Sequence, residues 1–568
     1  MDSQSQISGQ LSIILHLLGL NKCTIPKQQT KVFVIIDYFC LGIVCMGAGY
    51  LATMQGFHSL PINADSLAPF EEAQSLIRNP DTHLFNIHVS RIASIFPDLT
   101  INAFLQLIRP RAGFLEIFSL YAWCSSTLFF LLATLLVNEI GPKKHPLTAD
   151  SIRISLITII LLNVSHEFNI IYAHLITPVH HGGNILNTLL LLTLAIRSIK
   201  TPEFKPIIFC MGIFTCLATL SNKISIFTAV LPSIVIYFTY LKGKQRQKYL
   251  LVLGIATLAG IIIGNQFNEQ CATPEFNLSG TLSALRQYFQ ISWIPSISVI
   301  LSIISIFYTV KATKTLSNWP IPTRAGLLAV SISSLSYFLY LPMLTSSGEA
   351  PLRYICIAYA LITVLILFYI KKAGSNKPPI ILSLLIIGTL ISFQTPDRPK
   401  INIANHQSLT QDLLDRSEHI DPFKNEAARF VHEMGYDNYL GLGDYWMSGA
   451  TLSTNSKIYI VPIHYTGVPD FWGATPQDIK RQIKTLDKKK SYLLTENDTF
   501  KKQFEKNYGP AVTTWNYDEM NNQFTKEPVN TTHRLQVYDN PKIYNRVRKS
   551  AKKFKRQCDP SLPKYKVR

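Results

Sequence analysis

Charged residues are scarce in this chain. Only 16% of its 568 residues are Asp, Glu, Lys or Arg, against roughly a quarter in soluble domains, so water is not its only solvent. The mean hydropathy of +0.19 is too high for a disordered polymer and too low for a chain apolar throughout. Nine cysteines occur without a Cys-x-x-Cys pair, most of them inside apolar runs, which argues against a disulfide framework and a zinc ribbon. A third glycine is missing from Gly441-Leu442-Gly443-Asp444-Tyr445-Trp446, where Trp446 stands, and the dinucleotide fingerprint fails there. The metalloprotease pattern fails too, because Ile170 stands where His166-Glu167 needs its second histidine. Ahead of residue 32 the short apolar piece Leu11 to Leu20 has neither a basic start nor a small-residue cleavage site, and no removable signal peptide is expected.

Long apolar runs are present in number. A helix needs about 20 apolar residues to cross the hydrocarbon, and eleven candidate segments recur, at 32–54, 113–137, 151–165, 183–197, 206–220, 224–241, 249–265, 291–310, 325–344, 354–370 and 378–394. With the N-terminus inside, the inner loops carry cations such as Lys143, Lys144, Arg197, Lys200, Lys242, Lys244, Arg246, Lys371 and Lys372, while the short outer loops carry Lys223, Arg286 and Arg353. That asymmetry sets the expected sense. An odd number of spans then leaves the loop 55–112 and everything after Gln394 outside.

Beyond residue 395 the text changes. Tyr439 to Leu442, Ile458 to Ile463, Tyr492 to Leu494 and Leu535 to Tyr538 read as strands, and Phe423–Met434, Pro476–Leu486 and Thr499–Tyr508 have helical spacing, a small α/β layer domain. The formal charge of +19 is uneven: the last 27 residues, Lys542 to Arg568, hold eleven Lys or Arg and one acid, Asp559. Such a tail either meets anionic headgroups or is a solvated end; nucleic acid is not expected as a partner. The expected fold class is therefore an α-helical polytopic membrane protein of about eleven transmembrane helices with a C-terminal extramembrane α/β domain. Its parts are an N-terminal cytoplasmic segment 1–31, a transmembrane domain 32–394, a periplasmic domain 395–541 and a basic tail 542–568.

Unusual length sits in the outer loop 55–112, and long loops in compact proteins tend to carry function. Its polar residues interleave with Leu67, Phe70, Leu76, Ile77, Leu84, Phe85 and Ile92, the pattern of amphipathic helices at a membrane surface. Asp65 lies just past the first span, where a general base would stand if the substrate were a lipid-borne phosphate; the same residue also suits the start of a helix over Ser66 to Ile77. Glu71 and Glu72 are expected to face solvent on that helix.

Together, the acidic residue of the first outer loop, the later Phe96-Pro97-Asp98, the outer Pro178-Val179-His180-His181-Gly182-Gly183, the Arg353-Tyr354 opening a late span and the external C-terminal domain resemble a bacterial branch of the GT-C superfamily. These are membrane glycosyltransferases that use polyprenyl-phosphate sugars. The resemblance implies that Asp65 is the catalytic base, with a polyprenyl-phosphate-linked sugar as donor, a glycan, lipid or protein as acceptor, and membrane lipid around the site. Asp98 is either a group that helps bind a divalent cation or orients the acceptor, or a turn residue after proline. His180 and His181 either hold a phosphate at a helix start or bond to backbone, and Gly182 and Gly183 permit close backbone approach in both cases. Arg353 either grips the carrier phosphate or snorkels, and Arg91 is a second, weaker candidate for that role. Relatives tend to carry an aspartate at the turn that here reads Ser221-Asn222-Lys223, leaving Lys223 as a phosphate contact. No nucleotide-sugar site is required and no cofactor is assigned; a divalent cation, Mg²⁺ or Mn²⁺, is left open, because such sites need several converging oxygens.

The leading expectation is a glycosyltransferase of the inner (plasma) membrane, acting on its outer side. Its alternative, a transporter or flippase of lipid-linked glycans, would show internal halves and charges deep in broken spans. No repeat is legible, and the acids well inside spans are Asp37 and Glu116. A bare membrane anchor for the α/β domain would not need so many spans.

Overall fold

The computed structural model describes residues 30–56, 64–78, 94–141, 146–164, 172–178, 182–267, 286, 299–300, 302–307, 320–344, 422–443, 460–469, 479–481 and 483–552. Its helical part comprises α1 (Thr30–Gly56), α2 (Ala64–Arg78), α3 (Thr100–Ile108), α4 (Phe114–Ile140), α5 (Leu147–Val164), α6 (Gly182–Lys200), α7 (Lys205–Ser221), α8 (Leu231–Tyr240), α9 (Gly243–Phe267) and α10 (Ile321–Leu344). Single wide turns, Ile95–Leu99 and Ile226–Val230, lead into α3 and α8. Eight of the eleven expected spans coincide with these helices; 291–310 is described only as 299–300 and 302–307, and 354–370 and 378–394 lie outside the described residues. Among the described residues four helices are long and apolar enough to cross a membrane: Phe33–Gly56, Phe114–Ile140, Gly182–Lys200 and Gly243–Asn265.

The helices run up and down, and their ends sort into two sets. At one end Lys200 donates to Glu139 at 2.6 Å, the Thr323 hydroxyl donates to the Ile140 carbonyl at 2.6 Å, and Arg324 lies over the Tyr240 ring. Asp37 belongs to this end as well: its carboxylate accepts from the backbone N–H groups of Leu147 at 2.8 Å and Thr148 at 3.0 Å. The acid inside the first span is thus the N-terminal cap of α5, supplied by a different helix, and it satisfies donors that a helix start leaves open. Gly56 packs on Tyr172 and Ile176 at the opposite end.

Inside the bundle, polar atoms are satisfied locally. Thr134, Thr193, Thr219 and Ser233 each donate to the carbonyl four residues back, which hides hydroxyls from an apolar solvent. Exposed faces are apolar: Phe39, Phe209, Leu251 and Ile255 point outward, as lipid contact requires. Helices α7 and α9 approach closely because Gly260 and Gly264 are one turn apart; a Cβ on Gly260 would meet the Cys216 carbonyl at 2.6 Å, and one on Gly264 the Leu220 carbonyl at 2.9 Å. In a bilayer, where apolar burial does not drive association, such small-residue contacts hold helices together.

The C-terminal part is a six-stranded mixed sheet in the order β2–β1–β3–β6–β4–β5: β1 (Leu440–Gly443), β2 (Ile460–Pro462), β3 (Lys490–Thr495), β4 (Thr513–Asp518), β5 (Gln523–Thr525) and β6 (Arg534–Asp539). β1 pairs in parallel with β2 and β3, and the remaining pairs are antiparallel. Helix α11 (Pro422–Glu433) covers one face through Phe423, Phe430 and Val431. On the other face α12 (Asp498–Tyr508) and α13 (Pro541–Lys552) bury Phe500, Phe504, Ile543, Tyr544 and Val547. Asn497 caps α12 by accepting from Thr499 and Phe500 N–H groups at 2.9 and 3.1 Å.

All four expected strands are present. The hairpin β4–β5 was not expected, and the predicted helix Pro476–Leu486 is described as helical at 479–481 and as the single turn Ile483–Thr485. The expected basic tail also starts too early: residues 541–552 are a helix of the domain, with Ile543, Val547 and Ala551 fully buried, because its apolar residues fall on one stripe among the cations.

Candidate functional site

The described parts of the large first loop, 64–78 and 94–112, pack on the bundle. Ser94, in the left-handed region with φ 37°, donates its N–H to the Ser221 carbonyl at 3.1 Å, and the Phe96 N–H donates to Ser221 Oγ at 2.7 Å. The Asn187 side chain donates to the Phe96 carbonyl at 3.0 Å. Three separate stretches, the turn 94–99, the start of α6 and the end of α7, are thereby drawn together.

Asp98 stands at the centre of this joint. It is 2% exposed, its Oδ1 accepts from the Tyr121 hydroxyl of α4 at 2.6 Å, and its backbone carbonyl accepts from Asn102 at 3.0 Å. A Cβ on Gly183 would lie 2.5 Å from Asp98 Oδ1 and 2.8 Å from Pro97 Cδ, while one on Gly182 would run into the Leu175 carbonyl. Both glycines of the His-His-Gly-Gly motif therefore admit close neighbours, as expected. The carboxylate rests against the first turn of α6, where the partial positive charge of a helix start favours an anion.

Helix α2 closes over the same joint. Phe70 packs edge to face on Phe114 at 5.5 Å between ring centres, its carbonyl accepts from Gln106 at 2.9 Å, and Ala73 belongs to one small core with Ile95, Leu99 and Leu220. Asp65 falls in the first turn of α2. Pro69, four residues on, carries no N–H for the Asp65 carbonyl, so the usual helical bond is missing there. Contrary to expectation Glu72 does not face solvent: it is 5% exposed, because α2 turns that side onto the loop and the bundle. Helix α3, by contrast, presents Phe104, Leu107 and Ile108 outward, as an interfacial helix would.

The positions fall into two groups. Asp98 and the backbone of Asp65 lie at the end of the bundle that also holds the start of α6. Arg91, His180, His181 and Arg353 lie outside the described residues; His180 and His181 immediately precede Gly182, whose neighbour touches Asp98. Among the described residues no three His, Cys, Asp or Glu side chains gather as metal ligands, and Asp98 Oδ1 is engaged by Tyr121. These described donors therefore do not make up a Mg²⁺ or Mn²⁺ site. The sequence does not mark Tyr121, Asn187 and Ser221 as a set; the polar residues Asn184 and Asn187 inside an apolar run are the available signal.

No family model matches the chain, and no curated protein matches it. Among solved structures it is similar to a crystal structure of the Archaeoglobus fulgidus oligosaccharyltransferase in complex with Zn and sulfate. The two are 12% identical with a TM-score of 0.41, over 90% of this chain and 76% of that chain.

Proposed function

We propose that the chain is a membrane glycosyltransferase that moves a sugar from a polyprenyl-phosphate carrier to an acceptor hydroxyl at the outer membrane surface. The observation that carries this reading is the joint itself: the Phe-Pro-Asp turn of the first loop and the glycines after His180-His181 are in contact through Asp98 and Gly183, with α2, whose first turn holds Asp65, packed on that turn through Ala73. Motifs more than eighty residues apart in sequence meet at one end of the bundle, where apolar helix faces give lipid access.

In the reaction we infer, the acceptor oxygen attacks the anomeric carbon as the bond from that carbon to the carrier phosphate oxygen breaks, and Asp65 takes the acceptor's proton. The phosphate departs with the bonding pair, its charge met by Arg353 and by His180 or His181, with Arg91 and Lys223 as further cations along the carrier. Asp98 is then a positioning residue: it holds the first loop onto α6 and so fixes where α2 presents its first turn. The basic ends of the helices face the cytoplasm in this reading, and the α/β domain lies outside.

Asp65→Asn in folded, reconstituted protein is expected to lower transfer from a polyprenyl-phosphate sugar by at least a hundredfold, in line with the 10²–10⁴ that a general base contributes. Undiminished transfer would remove Asp65 from the mechanism, and movement of the lipid-linked glycan across the vesicle with no new glycosidic bond would replace the enzyme with a flippase.

A further inference from the structure

The two faces of the C-terminal sheet are covered by helices of opposite electrostatic design. On α11 the charges cancel within the helix, where Arg429 pairs with Glu426 at 2.6 Å and with Glu433 at 3.6 Å. On the other face α12 and α13 together carry eight Lys or Arg and two carboxylates. Both of those acids are engaged by β6: the half-exposed Asp498 pairs with Arg534 and Glu505 accepts from Gln536 at 2.8 Å. Helix α13 has no acidic residue, and Lys542, Arg546, Arg548, Lys549 and Lys552 are all exposed on it. Its inner stripe, Ile543, Tyr544, Val547 and Ala551, is buried, and the Tyr544 hydroxyl donates to the Ile483 carbonyl at 2.9 Å. The cations of α13 are therefore fixed on its outward side.

A fixed sheet of like charge repels itself and lowers the stability of the compact state unless an anionic surface meets it. One surface of that kind is always at hand. The chain carries helices apolar enough to cross a bilayer, and 27 residues join the last apolar run, ending at Gln394, to α11. At about 3.4 Å per residue that connection reaches at most on the order of 90 Å, so the domain stays at high effective concentration over its own membrane. We propose that the α12–α13 face is a docking surface for anionic phospholipid headgroups, and that the domain lies on the bilayer by this face with α11 turned to solvent. A cation near such a surface contributes about 1 kcal/mol, close to fivefold in partitioning.

The test uses the full chain in nanodiscs of phosphatidylcholine alone and of phosphatidylcholine with phosphatidylglycerol. A bulky, water-soluble maleimide labels Asn545→Cys on the outer side of α13 or Glu433→Cys on α11, read on each peptide by mass spectrometry. Labelling at 545 is expected to slow at least tenfold on the anionic discs and to recover in about 1 M salt, where the Debye length is ~3 Å, while labelling at 433 stays unchanged. Replacing Arg546, Arg548 and Lys549 by Gln should abolish the slowing, with hydrogen exchange of β3 showing that the domain still folds. Equal labelling rates at 545 on both disc types would overturn the proposal. Protection produced by a soluble polyanion on neutral discs, without protection on anionic discs, would overturn it in favour of an acidic polymer.

Discussion

At Asp98 a single carboxylate joins two roles that substitution can separate. Asp98→Ala leaves the buried Tyr121 hydroxyl without this acceptor and should cost about 1–3 kcal/mol, whereas Asp98→Asn keeps an acceptor and should cost less. Gly183→Ala drives a methyl into the same carboxylate, an overpacking of about 1–3 kcal/mol. Because Asp98 and Tyr121 touch, Asp98→Ala and Tyr121→Phe should combine non-additively in thermal unfolding of the purified protein; strict additivity would show that the hydrogen bond does not hold the loop. The sequence made Asp98 legible through Phe-Pro-Asp, but not its partner, since nothing distinguishes Tyr121 from other tyrosines in apolar runs. Glu72 misled for a related reason: an acid near a helix start reads as solvated until the packing of α2 is known. Asp37 was legible as an acid inside a span, yet its role as cap depends on α5, over a hundred residues away.

Among the elements, apolar length located eight of the helices, and four of the described ones are long and apolar enough to cross a membrane. Their contacts were harder to read. The Gly260 and Gly264 pair passes unnoticed in a sequence with 27 glycines, and only the approach of α7 gives it meaning. Gly260→Leu is expected to push α9 off Cys216 and Thr219, lowering the melting temperature in detergent more than the same change at Gly254, whose Cβ position is open. Equal effects at the two sites would show that the α7–α9 contact carries no special weight. In the α/β domain the strands marked by short apolar runs, β1, β2, β3 and β6, were legible, whereas β4, Thr-Thr-Trp-Asn-Tyr-Asp, is only half-buried along most of its length and lacks the alternation that identifies a strand.

For the molecule as a whole, the membrane part and the α/β domain answer to different solvents and so to different conditions. In the domain the Asn521 side chain and the backbone N–H groups of Met520 and Asn521 hold the Asp518 carboxyl below its ordinary range. Likewise the backbone N–H groups of Lys489 and Lys490 hold Asp487 low. A carboxyl depressed on folding adds stability that is complete above its unfolded value, near pH 4, and that fades as pH falls through the lower folded value. Hydrogen exchange of β3 and β4 in the full chain should therefore be insensitive to these groups from neutral pH to about pH 4 and show loosening below it. Asp518→Asn should flatten that decline at β4, and an unchanged profile would remove Asp518 as a contributor.

Among the described residues the sheet offers little at either margin. β2 ends in Pro462, which has no N–H to offer, and β5 is three residues long, so a strand from a neighbouring copy finds little to pair with. Crowding many such chains in one membrane would then bring their domains side by side with little at these two strands to favour β-sheet fusion.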